Sequence, residues 1–425
     1  MKELQNVYVT GLGITSSIGT DMETFTDSLK SSSHGFAFLS DNNNKITPQI
    51  GAVLKDFSFK EKLSQLSFEN EEIKKQALKS GSRAPLSIQA SILSAMEAWH
   101  DAQLDIVDIE SERVGIVVGG QNISNNYQFG LLEKFLNNPE YLSPKYALHF
   151  LDTDHVGTVS EILQIKGEGF SIGGASASGN VALIKAHQML QLGVVDVCIV
   201  IGALADLSPM DLQGFYNIGA YGCKHFVQEP EKACRPFDKQ HEGFIYGQAC
   251  GCLILETKKF LNLRSTVNPY ALFQGGVINL DANKMTDPNK EGEATAMTKA
   301  LKQSGFDPQS IDYINSHGSS SPLGDNTEVA AIHDVFGKHL DKILINSTKS
   351  ITGHCLYSAG IVEAIGTIAQ MKGNFIHESR NLDEPIDEKC RFAQSCIENT
   401  KISHAISNSF GFGGINSSIV LSNML

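Results

Sequence analysis

No stretch of the sequence approaches the roughly 20 consecutive apolar residues that a membrane-spanning helix needs. The opening residues, MKELQNVYVTGLGITSSIG, carry an acidic residue near the start, and glycines interrupt any apolar region, so they do not read as a signal peptide. There is no CxxC pair and no Cys/His cluster at zinc spacing; the eight cysteines (Cys198, Cys223, Cys234, Cys250, Cys252, Cys355, Cys390 and Cys396) are scattered. Positive charge is also short. With 34 Lys and Arg against 47 Asp and Glu, the formal net charge is -13, and a phosphate backbone has no basic footprint to bind. A carrier docking on a local patch is not excluded by that total. These absences point to a cytoplasmic protein with reduced thiols, no metal or nucleotide cofactor, no nucleic-acid partner and no membrane attachment.

What is present is ordinary globular material. The chain has 425 residues, 41% of them hydrophobic and 19% charged, enough for a large core and long for one domain. NVYVTGLGI and RVGIVVGG have the β-branched character of buried strands, and LSIQASILSAMEAWHDAQ (86–103) has helical apolar spacing. VALIKAHQMLQLG reads as a helix stopped by Gly193, followed by the strand VDVCIVIGA. In QACGCLILE, alternation puts Cys250 and Cys252 on one strand face as small hydrophobes. Residues 205–245 are loop-rich, and after about residue 265 the strand-helix alternation begins again. Such alternation predicts an α/β architecture with a mostly parallel sheet. Two halves are expected, 1–260 and 261–425, without a low-complexity linker or a convincing residue-level repeat. The polar segments 40–46 and 65–80 read as surface insertions.

Several separated stretches attract attention, and each has a bland reading. GLGITSSIG has the wrong glycine spacing for GxGxxG and is taken as a strand-to-helix turn. GGASASGN (173–180) opens a helix, where free N–H groups bind an oxyanion; Ser176 is a candidate nucleophile there, yet serine is also a favoured N-cap. In INSHGSSSPLGDNTE (314–328), His317 leaves a strand at the place where such sheets deliver ligand-binding groups, and Asp325 and Glu328 are placed to orient backbone or cap the next helix. NSTKSITGHCLYSAG carries Lys349 and His354 five residues apart in a glycine-containing loop. In NSFGFGGINSS, Phe410, Gly411 and Phe412 form a glycine-rich turn that brings backbone N–H groups near a substrate.

Taken together and in this order, the stretches resemble the β-ketoacyl synthase family of the thiolase superfamily over nearly the whole chain. RPFDKQHEGFIYGQACG (235–251) is similar to that family's RPFDxxRDGFxxGEGAG, with His241 and Gln248 as departures. HGSSSPLGD, STKSITGH and NSFGFGGIN resemble HGTxTPLGD, STKSxxGH and NSFGFGGTN, with Ser319 and Ser321 in place of the two threonines. The resemblance implies a five-layer α-β-α-β-α fold of two similar halves. It also implies a homodimer in which the strand near VDVCIVIGA pairs across the two-fold, and an acyl carrier protein as partner. The phosphopantetheine arm then arrives with the carrier as part of the substrate.

One departure bears on chemistry. The family's TACASG turn holds an acyl-accepting cysteine, and the matching GASASG puts Ser176 there. A thiol with a pKa of about 8.5 ionises readily at a helix start, whereas an alcohol needs a general base. Decarboxylation does not need the cysteine. By resemblance, neutral His317 and His354 donate to the thioester oxygen as charge develops, Lys349 biases the His317 tautomer, and Phe412 supplies an N–H beside that of Ser176 and acts as a gate. The expected activity is therefore decarboxylation of malonyl-carrier to acetyl-carrier, the role of serine-for-cysteine ketosynthase-like proteins in polyketide β-branching cassettes. Two readings stand beside it: a condensing synthase with Ser176 as nucleophile, and a non-catalytic chain-length subunit. A thiolase proper is disfavoured because FGFGG stands where its C-terminal catalytic cysteine motif belongs.

Overall fold

The computed structural model describes residues 5–39, 50–66, 68, 70–222, 224–264, 267–284 and 286–424. Among them, eleven strands form one continuous sheet. Apart from the two-residue strand Arg391–Phe392 at one edge, they fall into two sets of five. The first set is β1 (Val7–Ser16), β2 (Val114–Gly119), β3 (Gly169–Ile172), β4 (Val197–Gly202) and β5 (Ala249–Thr257). The second is β6 (Ala271–Leu280), β7 (Tyr313–Asn315), β8 (Leu344–Asn346), β9 (His404–Gly411) and β10 (Ile415–Asn423). The spatial order β3-β2-β4-β5-β1 is mirrored by β6-β10-β9-β7-β8, so each set has the same topology. The sets meet where Val7–Val9 run antiparallel to Ala271–Phe273.

The sheet is mixed and not mostly parallel. In each set the second, third and fourth strands are parallel, but the fifth runs antiparallel to both the fourth and the first. The reason is local at β9 and β10: a three-residue hairpin turn can join only antiparallel strands.

Eight helices position the rest: α1 (Leu86–Asp101), α2 (Asn125–Asn137), α3 (Thr153–Leu163), α4 (Ser178–Leu192), α5 (Pro209–Asn217), α6 (Lys290–Ser304), α7 (Pro322–Phe336) and α8 (Ala359–Gly373). α1 and α3 cover the outer face of the first set, and α6, backed by α7, covers the second. α4 and α8 pack against both sets and against each other, completing the expected five layers. A helix in that position has no solvent face, and α8 is buried from Ala359 to Met371. The two central helices touch backbone to backbone. A methyl on Gly179 would lie 2.6 Å from the Ile361 nitrogen, and one on Gly360 would lie 2.7 Å from the Asn180 nitrogen.

Three further expectations change. GLG is not a turn: Gly11 and Gly13 lie inside β1, where α1 comes so close that their Cβ atoms would fall 2.2 Å from the Ala98 carbonyl and 2.0 Å from that of Ser94. The chain turns only at Ser16–Gly19. Segment 65–80 is largely ordered as the helix Glu71–Gly81, capped by Asn70 and burying Ala77, so only its polar face reads as surface. VDVCIVIGA is β4, paired on both sides by β2 and β5, and has no free edge for a dimer; the edge strand of the first set is β3. Segment 40–46 lies outside the described residues. Cys250 and Cys252 are both fully buried and join one apolar cluster, as alternation predicts.

Candidate active site

Strands of both sets end at one cavity of about 620 Å³. Gln121 follows β2, Ser176 follows β3, His317 with Ser319 and Ser321 follows β7, and His354 follows β8. Phe410, Gly411 and Phe412 enter from the β9–β10 hairpin. Every cavity-lining residue named from the sequence is thus brought to one place. Lys349 lies behind the wall, completely buried.

The serine turn is strained and locked. Ala175, just before Ser176, has φ of +48°, a region that costs an L-residue energy. The Ser178 hydroxyl holds it, accepting from the Gly174 N–H at 2.8 Å and donating to the Ala175 carbonyl at 2.7 Å. The hairpin presses on the same turn: a Cβ on Gly411 would stand 2.5 Å from the Gly174 carbonyl, so only glycine fits. Ser176 is not the N-cap of α4, which begins two residues later. It lines the cavity instead.

The histidines are set by their neighbours. The Lys349 ammonium has three donors and meets three acceptors: the Glu363 carboxylate, the His317 carbonyl at 2.5 Å and His317 Nδ1 at 3.4 Å. With Nδ1 accepting, the neutral ring carries its proton on Nε2. His354 reaches the same tautomer differently, because its Nδ1 accepts the Leu356 N–H at 3.2 Å. The two rings stand edge to face with centroids 5.5 Å apart. Burial holds both well below the ordinary histidine range; Lys349 adds to this at both, and His354 adds further at His317. Both rings are therefore neutral near pH 7.

The sequence departures find local partners. His241 Nδ1 is 2.9 Å from Asp325 Oδ2, and that carboxylate also accepts the Phe237 N–H at 2.7 Å. This ties the RPFDKQHEGF segment to α7, and the strand-like pairing of Tyr246 with His354 then fixes the His354 backbone. Gln248 accepts the Leu54 N–H at 3.0 Å. Glu328 orients backbone and caps nothing, accepting the N–H groups of His317 at 2.8 Å and Gly318 at 2.7 Å.

Sequence reasoning missed Glu363, the counter-ion of Lys349, and Glu293 in the cavity wall. The signal for Glu363 was present: it is the single charge within AGIVEAIGTIAQM, an otherwise uncharged run. Burial pushes its carboxyl up to about 7 against the pull of the ammonium. Away from the cavity, the ligating atoms of His333, Asp387 and Cys390 lie within 4.8 Å of one another. Asp387 is already occupied there, by His333 Nε2 at 3.0 Å and the N–H groups of Lys389 and Cys390, which makes the trio a loop-to-helix tie.

Two family models match the chain: the N-terminal domain of β-ketoacyl synthase over residues 4–260 and the C-terminal domain over residues 270–383. The chain is 40% identical to the polyketide biosynthesis malonyl-ACP decarboxylase PksF of Bacillus subtilis, covering 99% of this chain and 97% of that one. It is 32% identical to the 3-oxoacyl-[acyl-carrier-protein] synthase 2 of Coxiella burnetii over 99% of both chains. Among solved structures, it matches a type II polyketide ketosynthase in complex with its acyl-carrier protein, with a TM-score of 0.85 at 24% identity over 99% of this chain and 100% of that one. That likeness shows the fold.

Proposed function

The chain belongs to the β-ketoacyl synthase family, and on that premise we propose that it decarboxylates malonyl groups carried on an acyl carrier protein, leaving acetyl-carrier. The observation that carries the reading is the pair of tautomers. In each ring Nδ1 meets a donor, which leaves the proton on Nε2 and an N–H to offer in the cavity that both rings line. Two donors suit an oxyanion, and neither ring offers Ser176 the base that an alcohol nucleophile requires. The 40% identity to a malonyl-ACP decarboxylase supports the same choice.

In this reading the malonyl thioester lies with its carbonyl oxygen between His317 and His354. The bond from C2 to the carboxylate breaks, carbon dioxide leaves, and the electron pair moves into an enolate whose oxygen the two Nε2–H groups hold. Lys349 and Glu363 keep the His317 tautomer in place, and Ser319, Ser321, Phe410, Gly411 and Phe412 bound the substrate. No metal or nucleotide takes part, and phosphopantetheine comes with the carrier. A homodimer through β3 is supported by that strand's place at the sheet edge and by exposed Phe129, Leu132, Phe135 and Leu136 on α2. A cytoplasmic setting is supported by the seven described cysteines, all free thiols.

The test is to incubate the protein with malonyl-carrier and weigh the carrier by intact mass spectrometry. Conversion to acetyl-carrier is expected; persistence of the malonyl mass overturns the reading. A lengthened chain on the carrier, with an acyl adduct at Ser176, would mark a condensing enzyme.

A further inference from the structure

Loss of carbon dioxide leaves C2 as an enolate carbon that needs a proton. The two imidazole N–H groups are committed to the enolate oxygen in this mechanism, and among the described residues no base or acid is hydrogen-bonded to Ser176. The cavity wall holds another group. Glu293, on the first turns of α6, lines the same cavity as Ser176, His317 and His354, yet is only 1% exposed. Its Oε2 is sealed from solvent without a hydrogen-bond partner.

The groups around Glu293 are acidic. Glu328 and Asp325 face it from α7, and Asp281 faces it from the end of β6. Each neighbour has donors of its own. Glu328 takes the N–H groups of His317 and Gly318 and the Asn408 amide, Asp281 takes the Asn416 amide, and Asp325 takes the Phe237 N–H and the His241 ring. The strands behind α6 contribute the neutral Asn408 and Asn416, and Asp287 lines the cavity nearby. Glu293 is the member of this group whose Oε2 no donor meets. Burial, reinforced by the three carboxylates, pushes its carboxyl well above the usual range, so it stands as a neutral acid at the substrate cavity.

We propose that Glu293 is the proton source that quenches the enolate formed by decarboxylation, an inference that rests on the decarboxylase reading. The Glu293 O–H bond breaks and a C2–H bond forms, directly or along one cavity water, as the enolate pair returns to carbon. The electron pair of the O–H bond stays on Glu293 as a carboxylate, which takes a proton from solvent before the next turnover. The sum is malonyl-carrier plus a proton giving acetyl-carrier plus carbon dioxide. The acidic surroundings that Glu328, Asp281 and Asp325 provide favour that reprotonation, because they oppose a buried negative charge on Glu293.

The experiment compares wild type, Glu293→Gln and Glu293→Asp with malonyl-carrier across pH, each variant first checked for its melting temperature. Wild type is expected to lose rate on the alkaline side as Glu293 ionises. Glu293→Gln is expected to fall about a hundredfold or more and to lose that alkaline limb, with Glu293→Asp recovering part of both. A second readout runs the step backwards: in deuterium oxide, wild type exchanges the methyl hydrogens of acetyl-carrier and Glu293→Gln does not. If Glu293→Gln fails to fold, the Glu293→Asp profile and exchange decide, since an unmoved alkaline limb and unmoved exchange overturn the proposal. A Glu293→Gln enzyme within about twofold of wild type with the same pH profile overturns the proton donor alone. A wild type that leaves malonyl-carrier intact overturns the decarboxylase reading and this proposal with it.

Discussion

The Lys349 ammonium lies 3.4 Å from Nδ1 of His317 and 2.5 Å from the carbonyl of the same residue, and it is completely buried against Glu363. Among the described residues no other group meets that Nδ1, so a residue behind the cavity wall decides what the substrate meets.

Removing that ammonium affects both stability and rate. Lys349→Met leaves Glu363 buried without its partner, at a cost of about 3–5 kcal/mol. The double variant Lys349→Met, Glu363→Leu is expected to recover much of that stability in urea unfolding but little of the decarboxylation rate. Equal recovery of both would reduce the pair to scaffolding.

His317→Ala and His354→Ala each remove one donor, and each is expected to slow decarboxylation by about a hundredfold or more. The readout is single-turnover loss of malonyl mass from the carrier. A variant that keeps its rate has no donor role.

Ser176→Ala is expected to decarboxylate at close to the wild-type rate, because no step above passes through that hydroxyl. Ser176→Cys restores a thiol at a helix start, and a covalent acyl adduct should then be visible by intact mass of the protein. Loss of decarboxylation in Ser176→Ala would give the hydroxyl a positive part in the reaction.

Three buried imidazoles make the fold acid-sensitive. Burial holds His155, His187 and His377 down to about 4. The unfolded chain takes protons on these rings near 6.5, so their contribution is full above that pH and is lost as the pH falls toward 4. Each shift is worth on the order of 3 kcal/mol. Glu97, raised to about 8 by burial, works in the opposite sense: its contribution is full below about 4.5 and is lost as the pH rises through 8. His155→Gln, whose amide can still meet the Ser91 hydroxyl, should flatten the stability decline between pH 6.5 and 4. Urea midpoints measured across that range check it, and an unchanged slope would exclude His155 as a contributor.

Much of this was legible in the sequence. Apolar runs placed the strands and central helices because burial on both faces leaves a strong signature, as in VDVCIVIGA and AGIVEAIGTIAQM. The cavity residues were readable because each sits in a short polar or glycine-rich turn just after a strand. Pairing direction was less accessible: β5 and β10 run antiparallel, and nothing in GQACGCLILE or SSIVLS distinguishes that from a parallel neighbour. The free sheet edge, which the family resemblance had put at VDVCIVIGA, lies at β3 instead, since β2 and β5 pair with β4 on its two sides. GLG was misread because its glycines answer to α1, some 80 residues away. Glu293 gave no sign of its burial, standing in the polar run NKEGEATAM.

The bare contact of Gly179 with Gly360 has a mechanical consequence. Ser176 lies three residues before one and His354 six before the other, so each half of the molecule carries one jaw of the site just ahead of its own central helix. With no side chain between them, the gauge of that jaw is set by backbone thickness. One added methyl group would wedge the two layers open and detune the reacting geometry, without touching any group that handles the acyl chain.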